Sequence, residues 1–384
     1  MRCKWKECTL GDLITFQRGH DLPKNQMTDG KYPVVGSNGI IGYHNEYTTE
    51  SPSITIGRSG NVGNPFIVYG RTWSHNTTLY VKDFKGNDPV FVFYFLKTLD
   101  LVNYAGGSAV PTLNRNHIHT LPIKVPESAE IQKKIGYYLR LLDEKIAINR
   151  EINENLERQI SEIYRVWYQK YVCAVGLPLV ESEYGLIPQG WHYSLVGELC
   201  KSISISHKFD AEKLIFLNTG DIEDGRFLHA NYMAVSDMPG QAKKTILPGD
   251  ILYSEIRPIN KHYAYVTFPS EDYVVSTKLM VIRASGIDSR RLYHYLTTED
   301  VITKLQMEAE SRSGTFPQIR FDNISKLPIL IADDVTEAAF TTLLHTVYDQ
   351  IEHNNSENEK LASLRDSLLP RLISGEIDVS AVQL

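Results

Sequence analysis

Two sets of polar side chains in this 384-residue sequence have types and spacing suited to chemistry. The first is Ser37-Asn38 within Gly36–Gly42, then Tyr43-His44, Arg58-Ser59-Gly60-Asn61 and Trp73-Ser74-His75-Asn76. The second is Lys243-Lys244, then Arg257-Pro258-Ile259-Asn260-Lys261-His262. Arg and Asn offer paired hydrogen-bonding groups that match guanine and adenine edges, while Lys, Ser and His suit bases or phosphates. Interleaved Gly lets backbone approach a groove closely. The plainer alternative is ordinary turns in which Gly and Asn supply positive φ. The candidate nucleic-acid contacts are therefore Ser37, Asn38, Tyr43, His44, Arg58, Ser59, Asn61, His75 and Asn76, with Lys243, Lys244, Arg257, Asn260, Lys261 and His262.

No catalytic set accompanies them. Gly57-Arg58-Ser59-Gly60-Asn61-Val62-Gly63 is Gly-rich but has no following G-K-[ST], so a P-loop is not formed. Gly63-Asn64-Pro65-Phe66 lacks the second Pro of an amino-methyltransferase-like motif, and no Gly-rich cofactor turn precedes it. Glu130-Ile131-Gln132-Lys133 and Asp143-Glu144-Lys145 superficially match nuclease carboxylate–lysine clusters, but a charged helix face explains them better. No Ser/His/Asp or Cys/His set has motif context. The four cysteines, Cys3, Cys8, Cys173 and Cys200, have no zinc or disulfide spacing, which suits a reducing compartment. No residue set is assigned to catalysis or to a metal. A signal peptide is not expected, since no apolar run follows Met1-Arg2-Cys3-Lys4, and the run Val90–Leu96 is too short to span a bilayer. The expectation is a soluble, cytoplasmic chain.

The elements that must position these loops include a long helix. Ile135, Leu139, Leu142, Ile146, Asn149, Asn153, Leu156, Ile160, Ile163 and Trp167 recur in 4-3-4-3 steps, the period of a coiled-coil seam. From Ile131 to Tyr168 such a helix runs about 57 Å at about 1.5 Å per residue, and its seam needs a partner. Leu344, Val347, Ile351, Asn354, Asn358, Leu361, Arg365, Leu368 and Leu372 step in the same way. Each helix carries two seam Asn one turn apart, a device that fixes register at a cost in stability. The spacing predicts antiparallel pairing through Ile146, Asn149, Asn153 and Leu156 against Ile351, Asn354, Asn358 and Leu361, with Asn149 near Asn358 and Asn153 near Asn354.

An internal repeat gives the architecture. Trp5, Gly11, Asp12 and Leu13 match Trp191, Gly197, Glu198 and Leu199 at an offset of 186. Thr77, Leu79, Val81, Asp88, Leu96 and Thr98 match Thr277, Leu279, Val281, Asp288, Leu296 and Thr298 at 200. Pro111, Ile118, Leu121 and Pro122 match Pro317, Ile324, Leu327 and Pro328 at 206, and the long helices follow at about 205. Within each copy, short β-branched and aromatic runs (32–35, 53–56, 65–69 and 78–81; 214–217, 250–253, 263–266 and 279–282) alternate with turn residues and read as strands. A short helix is expected near 91–101 and again near 290–306. The fold is α+β: a mostly β module at 1–128, a long helix at 129–171, a linker at 172–190, a second module at 191–334, a second long helix at 335–376, and a tail at 377–384. Net charge is -6, yet residues 1–128 hold 13 Lys+Arg against 10 Asp+Glu, whereas residues 333–384 hold 3 against 10. The first module could therefore face phosphate.

In this order the chain resembles the specificity subunit of type I restriction–modification systems over nearly its full length. The residues that carry the resemblance are Tyr32-Pro33-Val34-Val35-Gly36-Ser37-Asn38-Gly39-Ile40-Ile41-Gly42-Tyr43, Ile187-Pro188-Gln189-Gly190-Trp191, the Leu-Pro hinges before both long helices, and Leu368-Leu369-Pro370-Arg371-Leu372. The resemblance implies two tandem target recognition domains, each reading one half of a split site in double-stranded DNA. The paired helices would act as a ruler and dock two methyltransferase subunits. It places S-adenosylmethionine in the methyltransferase partner, and ATP and Mg in a motor–nuclease partner, with no cofactor in this chain and no membrane contact. Because the modules differ, an asymmetric site is expected. The sequence leaves open whether a nuclease subunit joins. Two other readings stay open: a single-chain DNA-modifying enzyme with an unrecognised active site, and a coiled-coil tether that does not read DNA.

Overall fold

The computed structural model describes residues 4–106, 111–312 and 316–382. The chain forms two compact units, Met1–Ile152 with Asn354–Leu384, and Asn153–His353. Each unit holds one module and one stretch of each long helix.

In the first unit the chain runs β1 (Trp5–Thr9), α1 (Leu10–Leu13), β2 (Thr15–Arg18), β3 (Tyr32–Gly36), β4 (Gly39–His44), β5 (Ser53–Gly57) and β6 (Pro65–Val68). It continues through β7 (Trp73–Ser74), β8 (Thr78–Asp83), α2 (Pro89–Lys97), β9 (Ala105–Gly106), β10 (Thr112–Leu113), α3 (Arg115–His119), β11 (Pro122–Pro126) and α4 (Ala129–Tyr168). One sheet has the order β2-β8-β5-β6 and a second β4-β3-β7, with β3 and β7 parallel. Every residue of β5 is buried, the polar Ser53 and Thr55 included, as its place between β8 and β6 in the sheet allows. α2 starts on Asp88, whose carboxylate accepts from Phe91 N, with Pro89 at the first helical position.

The second unit repeats this plan. After β12 (Leu179–Ser182) and β13 (Gly185–Pro188) come β14 (His192–Leu195), α5 (Val196–Leu199), β15 (Cys200–Ile203), β16 (Lys213–Leu217), β17 (Ile222–Glu223), β18 (Arg226–Phe227), β19 (Tyr232–Ala234) and β20 (Ala242–Lys244). Then follow β21 (Ile251–Ser254), β22 (Tyr263–Tyr265), β23 (Tyr273–Ser276), β24 (Leu279–Ala284), α6 (Ser289–Leu296), α7 (Glu299–Arg312), α8 (Phe321–Ser325), β25 (Pro328–Ile331) and α9 (Asp334–Ser374). The sheet β15-β24-β21-β22 has the order of β2-β8-β5-β6, and β19-β16-β23-β20 repeats β4-β3-β7 with one added strand. The region 290–306, expected as one helix, is two: the Thr297 and Thr298 hydroxyls donate back to the Tyr293 and Tyr295 carbonyls, and the chain restarts at Glu299.

The repeated anchors have matching structural duties. β1 pairs antiparallel with β11 and β14 with β25, so each module begins and ends in one ribbon. Leu10 N donates to the Leu121 carbonyl at 2.9 Å, and Val196 N to the Leu327 carbonyl at 3.0 Å. Gly11 and Gly197 are small for the same reason. A Cβ on the first would stand 3.0 Å from the His119 carbonyl oxygen, and one on the second 2.8 Å from Ser325 Cβ.

Both units bury the helix seam. In the first, Ile135, Leu139 and Ile146 are buried, and Asn149 Nδ2 donates to Asn358 Oδ1 (3.0 Å) and Glu357 Oε2 (2.6 Å). Asp143 receives both Tyr94 from α2 and Arg365 from α9. These pairs rise along α4 as they descend along α9, so the two run antiparallel there, and Leu361 on α9 is half-buried. In the second unit Ile160 and Ile351 are buried and Leu156 half-buried, while Asn153 Nδ2 reaches the Ile351 carbonyl at 3.4 Å. Tyr168 donates to Glu337, again an antiparallel pairing. Asn354, which belongs to the first unit, is buried as well.

Candidate nucleic-acid interface

In the first unit three loops meet at one corner, where β5 ends, the β3–β4 hairpin turns and β8 begins. Ser37 N donates to Thr77 Oγ1 (3.3 Å), and a Cβ on Gly60 would lie 3.1 Å from Ser37 Oγ. The Arg58 and Ser59 amides both donate to the Thr77 carbonyl, and the Arg58 guanidinium donates to the Asn76 carbonyl at 3.4 Å. His75 N donates to the Val35 carbonyl, and its Nδ1 faces Thr77 Oγ1 at 3.0 Å. Ser37, Arg58, Ser59, His75 and Asn76 are thus brought together. Burial lowers the Arg58 pKa, and the nearby Arg18 lowers it further, while Asp21 acts in the opposite sense. The half-shielded guanidinium of Arg58 beside the exposed one of Arg18 makes a corner that favours an anion. Arg18 was not singled out in the sequence, because it ends β2 far from the Gly-rich loops.

Asn38, Asn61 and Asn76 sit around that corner, whereas Tyr43 and His44 lie at the other end of the β3–β4 hairpin, opposite Pro33 and Tyr32. The Asn76 amide donates to Asp21, and Asn64 donates to Asn61 Oδ1. Asn38 is exposed at the hairpin turn. Tyr43 is exposed on β4, and its carbonyl accepts from Thr28 N. His44 stands edge-on to Trp73 at 5.1 Å, with Nδ1 3.4 Å from Thr28 Oγ1.

The second unit divides its candidates between two places. At the corner equivalent to that of Arg58, Arg257 N donates to the Pro317 carbonyl, and Ile319 N donates to Glu255 just as Leu113 N donates to Arg58. Arg257 adopts φ 43° and Lys261 φ 55°, left-handed conformations that non-glycine residues hold only when their surroundings impose them. Lys244 acts as a strut: its ammonium donates to the Thr277 and Leu279 carbonyls at 3.1 and 2.8 Å, and burial lowers its pKa. Lys243 is exposed beside it. Lys278, which immediately follows the repeat anchor Thr277, joins this corner through Glu255 at 3.4 Å and was likewise not singled out. Asn260, Lys261 and His262 instead line a separate cleft with Glu223, Asp224 and Arg226. There Lys261 pairs with Glu299, and His262 Nδ1 lies 2.7 Å from the Ile222 carbonyl. The carboxylates of Glu223 and Asp224 there stand against the cations of Arg226 and Lys261, and Lys261 is already paired, so the cleft offers phosphate little net positive charge.

Among the described residues, no group of three or more His, Cys, Asp or Glu could hold a metal ion, and no helix is long and apolar enough to cross a membrane. α4 leaves Tyr137, Leu141, Ile148 and Ile152 exposed in the first unit, a second apolar stripe beside the buried seam.

Comparison with known proteins agrees with this plan. The family described as "Type I restriction modification DNA specificity domain" matches residues 3–158 and 188–363. The HindI specificity subunit of Haemophilus influenzae is 41% identical over 181 residues, which are 46% of this chain and 39% of that protein. The MjaIX specificity subunit of Methanocaldococcus jannaschii is 23% identical over 305 residues, 75% of this chain and 69% of that protein. This chain's match therefore spans about two fifths of the first relative. The crystal structure of the type I S subunit from M. genitalium shares the fold, with a TM-score of 0.63 at 15% identity, covering 97% of this chain and 96% of that one. Two copies of one module, each built onto a stretch of paired helix and each matched by the same family, place the chain in the type I restriction–modification DNA specificity family.

Proposed function

We propose that this chain is the DNA-specificity subunit of a type I restriction–modification complex, working in the cytoplasm without catalytic groups of its own. Each module reads one half of a split, asymmetric site in double-stranded DNA, and the paired helices set the spacing and dock two methyltransferase subunits. The observation that carries the reading is the duplicated corner, Arg18, Arg58, His75 and Asn76 in one module and Lys244, Arg257 and Lys278 in the other, presented by one sheet plan. A pair of similar modules suits the two half-sites of one duplex. The exposed α4 stripe supports the docking role, since an apolar row on a charged helix marks a protein contact. S-adenosylmethionine would be held by the methyltransferase partner, and ATP with Mg by a motor–nuclease partner.

Base-resolution mapping of adenine methylation, in cells carrying the neighbouring methyltransferase with and without this chain, tests the reading. A two-part motif with a fixed unspecific gap should vanish when the chain is removed. Methylation that persists unchanged would favour the tethering reading instead.

A further inference from the structure

Polar readers alone do not account for the β3–β4 hairpin. Ile40 and Ile41 are 47% and 40% exposed, although adjacent residues of a regular strand point to opposite faces. The cause is a slip in register. Val34 stands opposite Gly42 and Val35 opposite Ile40, which leaves Ile41 as the extra residue of a β-bulge. Bulges re-aim side chains, and this one leaves both isoleucines in solvent.

Their surroundings tie them to the polar corner. A Cβ on Gly36 would stand 3.0 Å from Ile41 Cγ2 and 3.5 Å from Thr77 Oγ1, the hydroxyl that accepts from Ser37 N. A Cβ on Gly39 would lie 3.5 Å from the ring of Phe66, which is itself exposed. An apolar pair thus borders the cluster of Ser37, Arg58, His75 and Asn76. On a DNA duplex the apolar mark of the major groove is the thymine 5-methyl group, and that groove admits a two-stranded ribbon.

We infer that Ile40 and Ile41 read thymine methyl groups in the half-site of the first module. The inference rests on the proposed DNA-reading function and names residues that set its specificity. Among the described residues, the corresponding ladder of the second module carries no bulged pair of this kind. Its β16–β19 ladder keeps an unbroken register, and Tyr232 on β19 directs its hydroxyl to Asp272. Methyl sensitivity arising from this pair therefore belongs to the half-site of the first module.

The test uses the complex of this chain with its methyltransferase and a duplex carrying the mapped motif, in which each thymine is replaced in turn by deoxyuridine. At least one replacement, confined to one half, should weaken binding about fourfold, the effect of one methyl group taken out of apolar contact. The Ile40→Ala/Ile41→Ala chain should bind thymine and uracil duplexes equally. An Ile41→Val chain, which keeps a β-branched side chain on the bulge, should retain the discrimination. Indifference of the native complex to every replacement would overturn the inference. So would discrimination that survives the double substitution, a uniform loss of affinity on all sequences, or a half-site without an A·T pair. In each of those cases a motif that still depends on the chain leaves the proposed function standing. Absence of any motif would bring down both.

Discussion

Arg291 and His294 show how much single buried groups on α6 govern the second unit. Arg291 is fully buried, with Nε 2.7 Å from Glu337 Oε1 and Nη2 donating to the Leu330 carbonyl at 3.0 Å. Its guanidinium lies over the ring of Tyr168 at 4.3 Å, with Tyr164 and Phe340 completing an aromatic cage. Arg291→Ala should cost about 3–5 kcal/mol, because it strands the Glu337 carboxylate and empties the cage. Chemical denaturation measures this, and an added Glu337→Gln should recover part of the loss. His294, one turn along, meets Tyr348 through Nδ1 at 3.0 Å, while its buried Nε2 has no partner. Burial, reinforced by the Arg291 charge, pushes its pKa down to about 3. The unfolded chain takes up a proton near pH 6.5, where the folded chain does not. The stabilising contribution is complete above that pH and is lost as pH falls towards 3, by up to about 1.4 kcal/mol per pH unit. Unfolding free energies at pH 7 and pH 5 should differ accordingly, and His294→Phe should flatten the dependence. An unaltered pH profile in that variant would refute the assignment.

At the scale of elements, the paired helices and inner strands were legible because their signals are local. Ile135, Leu139, Ile146 and Asn149 follow a seam period and are buried, and the short β-branched run at 53–56 and the apolar run at 251–253 become buried strands. The ribbons β1–β11 and β14–β25 were not legible. Trp5–Thr9 mixes charged and apolar residues, and its partner lies at the far end of the module, so no local window contains the pairing. Nor did any Gly or Pro announce the break between α6 and α7. The corner was partly legible: Arg58 and His75 sit in Gly-rich or aromatic loops, whereas Arg18 and Lys278 reach it only through sheet order. The stripe Tyr137, Leu141, Ile148 and Ile152 was hidden by the stronger seam on the same helix. Because Ile148 is exposed, Ile148→Asp should leave thermal stability within about 0.5 kcal/mol of native. It should nonetheless weaken copurification with the methyltransferase by about tenfold or more, as expected of an anchor in an interface core. The seam asparagines answer differently. Asn149 is buried with Oδ1 lacking a partner, so replacing Asn149, Asn153, Asn354 and Asn358 by Leu should raise the melting temperature while loosening register, visible as faster amide exchange along both helices.

For the whole molecule, duplication with divergence makes asymmetric recognition the physical expectation. The two modules share sheet order, ribbons and the glycines at 11 and 197, which are scaffold features. What differs stands at the corners: two arginines, a bulged isoleucine pair and a histidine in one, and a lysine strut, Arg257 in a left-handed turn and a Lys278–Glu255 pair in the other. A symmetric site would require matching chemistry at both corners, and the residues do not match. Arg58→Ala and Arg257→Ala should therefore each relax or weaken one half of the methylated motif and leave the other half and the gap unchanged. If each arginine makes a paired contact with a base, the loss at that position is about 1–3 kcal/mol of discrimination. Methylation maps of the two variants provide the check. Were either substitution to lower methylation evenly over both halves, its arginine would be holding phosphate rather than reading sequence, and a shallower salt dependence of binding would accompany the change.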